Sequence, residues 1–360
     1  MLQHLILTKF SYRFPGWNKR TSIDPLSPSV LTHCLLMLKS ITYPCLKNQT
    51  HQDFSWIIII DPNLPAHYRK EIENFQLVGA KIYMSEYVES SHEKKSSWLL
   101  PYINTNTRYL ITSNLDADDA VFRGFTQYVH DYFSDLIEKN KIQPLHFLYA
   151  RNILQWDLIR SKDAPFGYMK PWTRKGTISV STGWTVCCQY PEVDFFVYSL
   201  GHRVPGFLYH ENDQQIEMND SIRKMLTNAR NVIKRVAENS RLAWDGQVIK
   251  DIHVDYIRSK HPQALVVNHW QNNQFTRLFE SEDQRTKVDI HNSFQDFDLD
   301  FNNIEFIIKE LGNKWSNFKT SIYNSIFYSI KQSRGSTRIK RLKKIIVTLI
   351  STIRNIFKLP

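Results

Sequence analysis

Three carboxylates, Asp116, Asp118 and Asp119, fall within four residues, beginning five positions after the apolar run Tyr109-Leu110-Ile111. Carboxylates are seldom buried unless they are paired or bound to a metal. In an open α/β sheet, ligands bind outside the carboxyl ends of the strands. An Asp-x-Asp at such a strand end suits an oxygen-seeking divalent cation that carries a diphosphate. The plainer alternative is a polar strand-to-helix loop in which Asp119 caps the following helix.

The elements that must position these residues are readable from hydrophobic periodicity. Leu5–Leu7 and the β-branched run Trp56–Ile60 read as buried parallel strands. Ala80–Met84 and Tyr109–Ile111 follow as a third and a fourth strand. Between them, Val30, Leu31, Leu35, Leu38 and Ile41 recur at helical spacing after Pro28, and Pro65 opens a helix that buries Tyr68, Ile72 and Phe75. Ser97–Ile103 reads as a short helix. After the Asp cluster, Phe122, Phe125, Val129, Phe133 and Leu136 form one more apolar helical face. This alternation predicts an α/β fold, a Rossmann-like, mostly parallel sheet flanked by helices. Beyond it, His146–Ile153, Val180–Tyr190 and Ala264–Val267 read as strands, with a loop over 161–177 and a helix over roughly 213–236. The pattern turns helical from Ile304, so the expected division is a domain over 1–300 and a helical extension over 301–360.

The chain has 360 residues, 42% hydrophobic and 22% charged, which describes an ordinary globular protein. Its formal net charge is +11, but nine Lys or Arg and no acid lie within residues 331–360, so the remainder carries only +2. The body therefore presents no general nucleic-acid signal. Residues 337–360 place Ile339, Leu342, Ile346, Leu349, Ile353 and Ile356 on one helical stripe, behind a basic cluster at Arg338, Lys340, Arg341, Lys343 and Lys344. That design suits a helix lying on an anionic membrane surface, and a core-docking or coiled-coil helix would use the same stripe. No segment reads as long enough to span a bilayer. Cys34, Cys45, Cys187 and Cys188 lack metal-ligand spacing, and with an N-terminus unlike a secretory signal they suggest a cytoplasmic location, peripheral to the inner membrane.

Several stretches resemble the bacterial rhamnosyltransferase family, relatives of the GT-A glycosyltransferases that use nucleotide-sugar donors. They are Leu7-Thr8-Lys9-Phe10-Ser11 with Arg13-Phe14, Tyr43-Pro44-Cys45-Leu46-Lys47-Asn48-Gln49-Thr50, and Asp53-Phe54-Ser55-Trp56 leading to Asp61. Leu115-Asp116-Ala117-Asp118-Asp119-Ala120 and, more loosely, Val267-Asn268-His269-Trp270-Gln271-Asn272-Asn273 continue the series. The chain departs from the family pattern at Lys9 and Asn114, where the family often has Arg, near Cys34, where its first helix commonly carries Arg, and at Cys45, where it often has Ser.

The resemblance implies a GT-A domain and a sugar, rhamnose or another hexose, moved from a nucleotide-diphosphate donor to a glycan or lipid-linked acceptor. It implies Mg²⁺ or Mn²⁺ held by Asp118, with Asp119 in support and His269 closing the metal site. Asp116 would face the donor ribose, Asp61 the base or ribose, and Thr8, Phe10 and Ser11 would cup the nucleobase. An inverting transfer needs a carboxylate to deprotonate the acceptor hydroxyl, and Glu211 or Asp213, at an expected helix start, is the candidate. His202 is a weaker ligand candidate. Each position has a bland reading too: a turn before Pro62 for Asp61, a core ring for Phe10, helix-dipole acids for Glu211 and Asp213, and a hydrogen-bonded ring for His269.

Rival functions fit less well. Phosphatase-like Asp motifs carry Thr or Val where Ala120 stands, and a calcium loop needs Gly at its sixth position, where the chain has Val121. The remaining alternative is a catalytically degenerate nucleotide-binding or membrane-associated adaptor.

Overall fold

A computed structural model describes residues 1–13, 24–86, 96–158, 164–171, 181–193, 195–199, 223–224, 226–228, 230–231, 252–259, 261–268, 286–289 and 293–311. The elements are β1 (Leu2–Phe10), α1 (Pro28–Met37), α2 (Tyr43–Lys47), β2 (Ser55–Ile60), α3 (Ala66–Glu73), β3 (Lys81–Ser85), β4 (Tyr109–Asn114), β5 (Ala120–Val121) and α4 (Phe125–Glu138). They continue with β6 (Leu145–Tyr149), β7 (Ile153–Asp157), β8 (Tyr168–Pro171), β9 (Thr185–Gln189), β10 (Ile252–Tyr256), β11 (Ala264–Asn268), β12 (Thr286–Lys287) and α5 (Phe301–Leu311). A 3₁₀ turn, Ser96–Tyr102, lies ahead of β4.

Seven strands form the central sheet in the order β10-β6-β9-β4-β1-β2-β3. The strands β3, β2, β1 and β4 run parallel, with Leu7 of β1 level with Asn114 of β4. The chain winds outward from β1 through β2 to β3, then returns to the other side of β1 as β4. The carboxyl ends of β1 and β4 therefore flank the topological switch point, the place where such sheets bind ligands. A smaller sheet, β12-β8-β7-β11-β5, stands beside it. The expected α/β class and the first four strands are borne out.

Residues of β2 are buried on both faces: Ile58 and Ile60 join the cluster under α1 to α4, and Ile57 and Ile59 join the cluster on the opposite side. That two-sided burial explains the unbroken β-branched run.

The helix after Pro28 holds one irregularity with consequences. Between α1 and α2 the backbone makes a π-helical turn, Leu38–Thr42. Pro44 has no N–H for the carbonyl four residues earlier and would crowd it. That carbonyl, on Ser40, instead accepts the N–H of Asp300 at 3.1 Å, which fastens the start of α5 to this helix. Ile304 of α5 is fully buried in the same core. Contrary to the expectation that no segment is long enough, the helix Pro28–Lys47 passes by length and composition for a membrane span. Its most apolar window is 61% buried inside the protein, which fits a core helix equally well.

Three strand boundaries differ from the sequence reading. His146–Ile153 is not one strand: the chain turns at 150–152, so β6 belongs to the large sheet and β7 to the small one. The expected loop over 161–177 contains β8. From Ser181, the expected strand Val180–Tyr190 is instead a turn followed by β9, because Gly183 sits at φ +73° and its N–H reaches the carbonyl of Asn114 at 2.8 Å. A side chain at Gly183 would adopt a disfavoured backbone and meet Val121 Cγ1 at 3.3 Å. β9 then runs antiparallel to both β4 and β6, so the large sheet is not wholly parallel.

Helix α4 begins at Phe125 with Gly124 at its N-cap position. The side chain of Gln49 takes the N–H of Thr126 at 3.0 Å, one of the helix's unpaired amides. Asp119 is thus not the cap that the alternative sequence reading proposed. The expected helix over 213–236 lies mostly outside the described residues, as does the stripe of residues 337–360.

Candidate functional site

The carboxylate cluster occupies the carboxyl end of β4, and each member is held differently. Asp116 is half-buried and accepts hydrogen bonds from Asn114 Nδ2 at 3.2 Å and from the Ser181 hydroxyl. Asp119 is 3% exposed. One of its oxygens accepts the Val267 N–H of β11 at 2.9 Å and the other accepts the Thr182 hydroxyl. The backbone carbonyls of Asp116 and Asp119 both receive the hydroxyl of Thr42, at 3.2 and 3.0 Å. Thr42 lies in the π-helical turn that Pro44 provokes, so a helix irregularity positions this loop. Asp118 is half-buried among these groups.

The electrostatics follow from crowding. Burial first, then the neighbouring charge of Asp118, raises the Asp116 carboxyl above the ordinary carboxylate range, while Ser181, Asn114 and Lys9 oppose the shift. Asp119 is raised further, by burial and then by Asp118 and Asp116. Like charges converge here in excess of the hydrogen bonds that stabilise them, which is the condition a divalent cation relieves. Among the described residues, Asp116, Asp118 and Asp119 do not close into a three-ligand set within 4.8 Å. Magnesium-type ions in nucleotide sites take one or two carboxylates and complete their shell with phosphate oxygens and water, and the open arrangement fits that donor set.

The pleat of β1 sorts its residues to opposite faces. Thr8 and Phe10 point into the core with no exposure, and Thr8 accepts the Trp56 indole N–H at 2.9 Å. Neither can cup a base, so both assignments are corrected: alternation buries them. Lys9 faces the other way, with its ammonium 4.1 Å from the centre of the Tyr198 ring and 5.8 Å from that of Tyr12. Its charge is felt by Asp116. Tyr198 is itself fixed to β1 by a 3.1 Å hydrogen bond to the Leu7 carbonyl. Ser11 ends the strand at φ +43°.

Cys34 of α1 lies within the field of Asp118. Burial above all, reinforced by that charge, pushes its thiol up to about 12, so it carries no thiolate nucleophile near neutral pH. Asp61, 3% exposed, forms the turn after β2. Its oxygens accept the Asn63 N–H at 2.9 Å and the Arg13 N–H at 3.3 Å. These contacts give Asp61 the turn-forming role and couple it to the loop after β1. Glu211, Asp213, His202 and His269 lie outside the described residues.

Lys9, Tyr198 and Ser181 were not proposed from the sequence as site residues. The signal for Lys9 was a charged residue at the end of an otherwise apolar strand. Ser181 and Thr182 could be suspected only from two hydroxyls ahead of Gly183, and their partners are more than sixty positions away.

Residues 3–152 match the family model described as "Putative rhamnosyl transferase". The resemblance read from the sequence is borne out over that stretch, which is less than half of the chain but runs from β1 through β6 and includes Asp116–Asp119. No curated protein matches significantly. Among solved structures, similarity is found to S. aureus TarS 1–349 in complex with UDP-GlcNAc, at 10% identity over 98% of this chain and 88% of that one, with a TM-score of 0.31. A structure described as "putative nucleotide-diphospho-sugar transferase" from Desulfovibrio desulfuricans G20, 8% identical over 91% and 99% of the two chains, has a TM-score of 0.32. Scores this low carry no argument about function.

The hydrogen bonds of Asp119 generate a test. Asp119→Ala leaves the Val267 N–H buried without its partner and should cost roughly 1–3 kcal/mol in urea unfolding. Asparagine can still accept from Val267 and can donate to Thr182. A raised folded-state pKa means that Asp119 weakens the metal-free fold as pH rises above the ordinary carboxylate range. Metal-free Asp119→Asn should therefore match or exceed the wild type near pH 7, and the difference should close as the pH falls through that range. A stability loss for Asn as large as for Ala would contradict this role.

Proposed function

We propose that the carboxyl ends of β1 and β4 bind a nucleotide-diphosphate sugar together with Mg²⁺ or Mn²⁺, and that the protein transfers the sugar to a glycan or lipid-linked acceptor. The observation that carries this reading is the convergence of Asp116, Asp118 and Asp119 at the switch point of the sheet, within the segment that matches the transferase family model. Rhamnose as the sugar rests on the family's name alone, with another hexose equally compatible with the site.

In the transfer, the bond between the anomeric carbon and the diphosphate oxygen breaks and a bond to the acceptor oxygen forms. The acceptor's proton goes to a base, for which Glu211 and Asp213 stand as candidates. The nucleoside diphosphate leaves with the electron pair. A bound divalent cation supplies neutralising charge for that leaving group. Asp118 is the residue proposed to hold it, with Asp116 alongside, kept in place by Ser181 and Asn114. Asp119 fixes β11 and the 181–184 turn around the cluster. His269 is proposed as a further ligand, a reading supported by the bond between Asp119 and Val267, two residues earlier in the chain. Lys9, resting on Tyr198, adds a positive charge suited to a phosphate oxygen.

The test is titration with UDP, GDP, dTDP and their sugars, with and without Mn²⁺, alongside Asp118→Ala. One diphosphate should bind in a metal-dependent way, with affinity falling at least about tenfold in the mutant. Folded protein that binds none of them would overturn the reading.

Residues 337–360 are proposed to place the enzyme on the inner membrane surface, a role supported by their basic cluster and apolar stripe. Deleting them should shift the protein from the membrane to the soluble fraction on sedimentation. Unchanged partitioning would refute the contact.

A further inference from the structure

A second cluster of ligand-type side chains lies away from the carboxylates of β4. His253 and Asp255 are two residues apart on β10 and so share one face of that strand. In the parallel pairing of β10 with β6, His253 stands level with His146. Pleat and register thus bring two imidazoles and a carboxylate together with no loop involved. His146 is 1% exposed.

The donor atoms are closely gathered. Asp255 Oδ2 is 3.1 Å from His253 Nε2 and 3.8 Å from His146 Nε2. Among the described residues, this is the one set of three His, Cys, Asp or Glu side chains whose donor atoms all lie within 4.8 Å of one another. A four-coordinate zinc with bonds of about 2.0–2.1 Å needs its ligand atoms roughly 3.3 Å apart, which is the scale found here. The Tyr132 hydroxyl of α4 joins the group, 2.9 Å from His146 Nε2 and hydrogen-bonded to Asp255. The Tyr132 hydroxyl donates to Asp255 and so accepts from His146 Nε2–H, while His146 Nδ1 has no partner among the described residues; an ion bound at Nε2 would replace that hydrogen bond and leave the ring proton on Nδ1. The side chains of His253 and Asp255 are partly exposed, so the group is open to an ion from solvent.

We propose that His146, His253 and Asp255 form a zinc-class site that clasps the edge strand β10 to β6 and, through Tyr132, to α4. Two imidazoles and one carboxylate select Zn²⁺ or Co²⁺ over Mg²⁺ or Ca²⁺. The site is separate from the proposed donor cation. Through Cys187 of β9, His146 is level with Ile111 of β4, five residues before Asp116 and so roughly 16 Å down the strands. Among the described residues β10 pairs only with β6 in its sheet, so a metal clasp would reinforce an edge strand.

Full-length protein stripped with chelator and titrated with Zn²⁺, and with Co²⁺ as an optical reporter, tests the proposal. His253 is the position to change, because its side chain is 45% exposed and its loss leaves the core intact. The wild type should take up one tightly held equivalent and show the intense visible absorption of four-coordinate Co²⁺. Asp118→Ala should retain both, whereas His253→Ala and Asp255→Asn should weaken binding at least about tenfold. Zinc should also raise the unfolding temperature of the wild type and not that of His253→Ala. Equal zinc affinity in His253→Ala and the wild type, or folded wild type that takes up no zinc, would overturn it.

Discussion

Three acidic side chains within four residues repel one another, and that repulsion is strongest where water is excluded. Much of the architecture around β4 answers this problem. Asp119, the most deeply buried, accepts hydrogen bonds from two distant segments, the N–H of Val267 and the hydroxyl of Thr182, which partly stabilise its charge. Asp116 receives Ser181 and Asn114, with the charge of Lys9 nearby. The burden that remains is visible in the raised carboxyls of both residues. This residual crowding is what the proposed cation and its diphosphate would relieve.

The fold makes this crowding possible. Because the chain reverses its winding between β3 and β4, the ends of β1 and β4 lie side by side. The antiparallel β9 then slots in beside β4, and the tight turn at Gly183 carries Ser181 and Thr182 to the carboxylates. On the other flank, Pro44 distorts the first long helix and leaves a π-helical turn from which Thr42 reaches the loop carbonyls. Helix geometry, a glycine's backbone freedom and strand order therefore converge on one four-residue stretch.

Much of this was legible in the sequence. The strands of the first half announce themselves because they are buried on both faces, and the helices between them because their apolar stripes are long. Asp116–Asp119 stood out because three acids end an apolar strand. Other features were hidden for physical reasons. Thr8 and Phe10 read as ligand contacts until the pleat direction of β1 was known, since a shift of one residue exchanges the two faces. The break between β6 and β7 carries no Gly or Pro, so one apolar run concealed a change of sheet. Short strands such as β5, β8 and β12 take their stability from partners, and sequence periodicity cannot reveal them. Lys9 and Ser181 acquire meaning only through residues far away in the chain.

The central claim is that the carboxylates of β4 hold a cation shared with a nucleotide diphosphate. The most direct measurement is a crystal structure with Mn²⁺ and the diphosphate selected in solution, using anomalous scattering to locate the metal. The account predicts a manganese peak in contact with Asp118 and a diphosphate oxygen, at the carboxyl end of β4. A diphosphate bound elsewhere, or bound at β4 with its manganese away from Asp118, would contradict it.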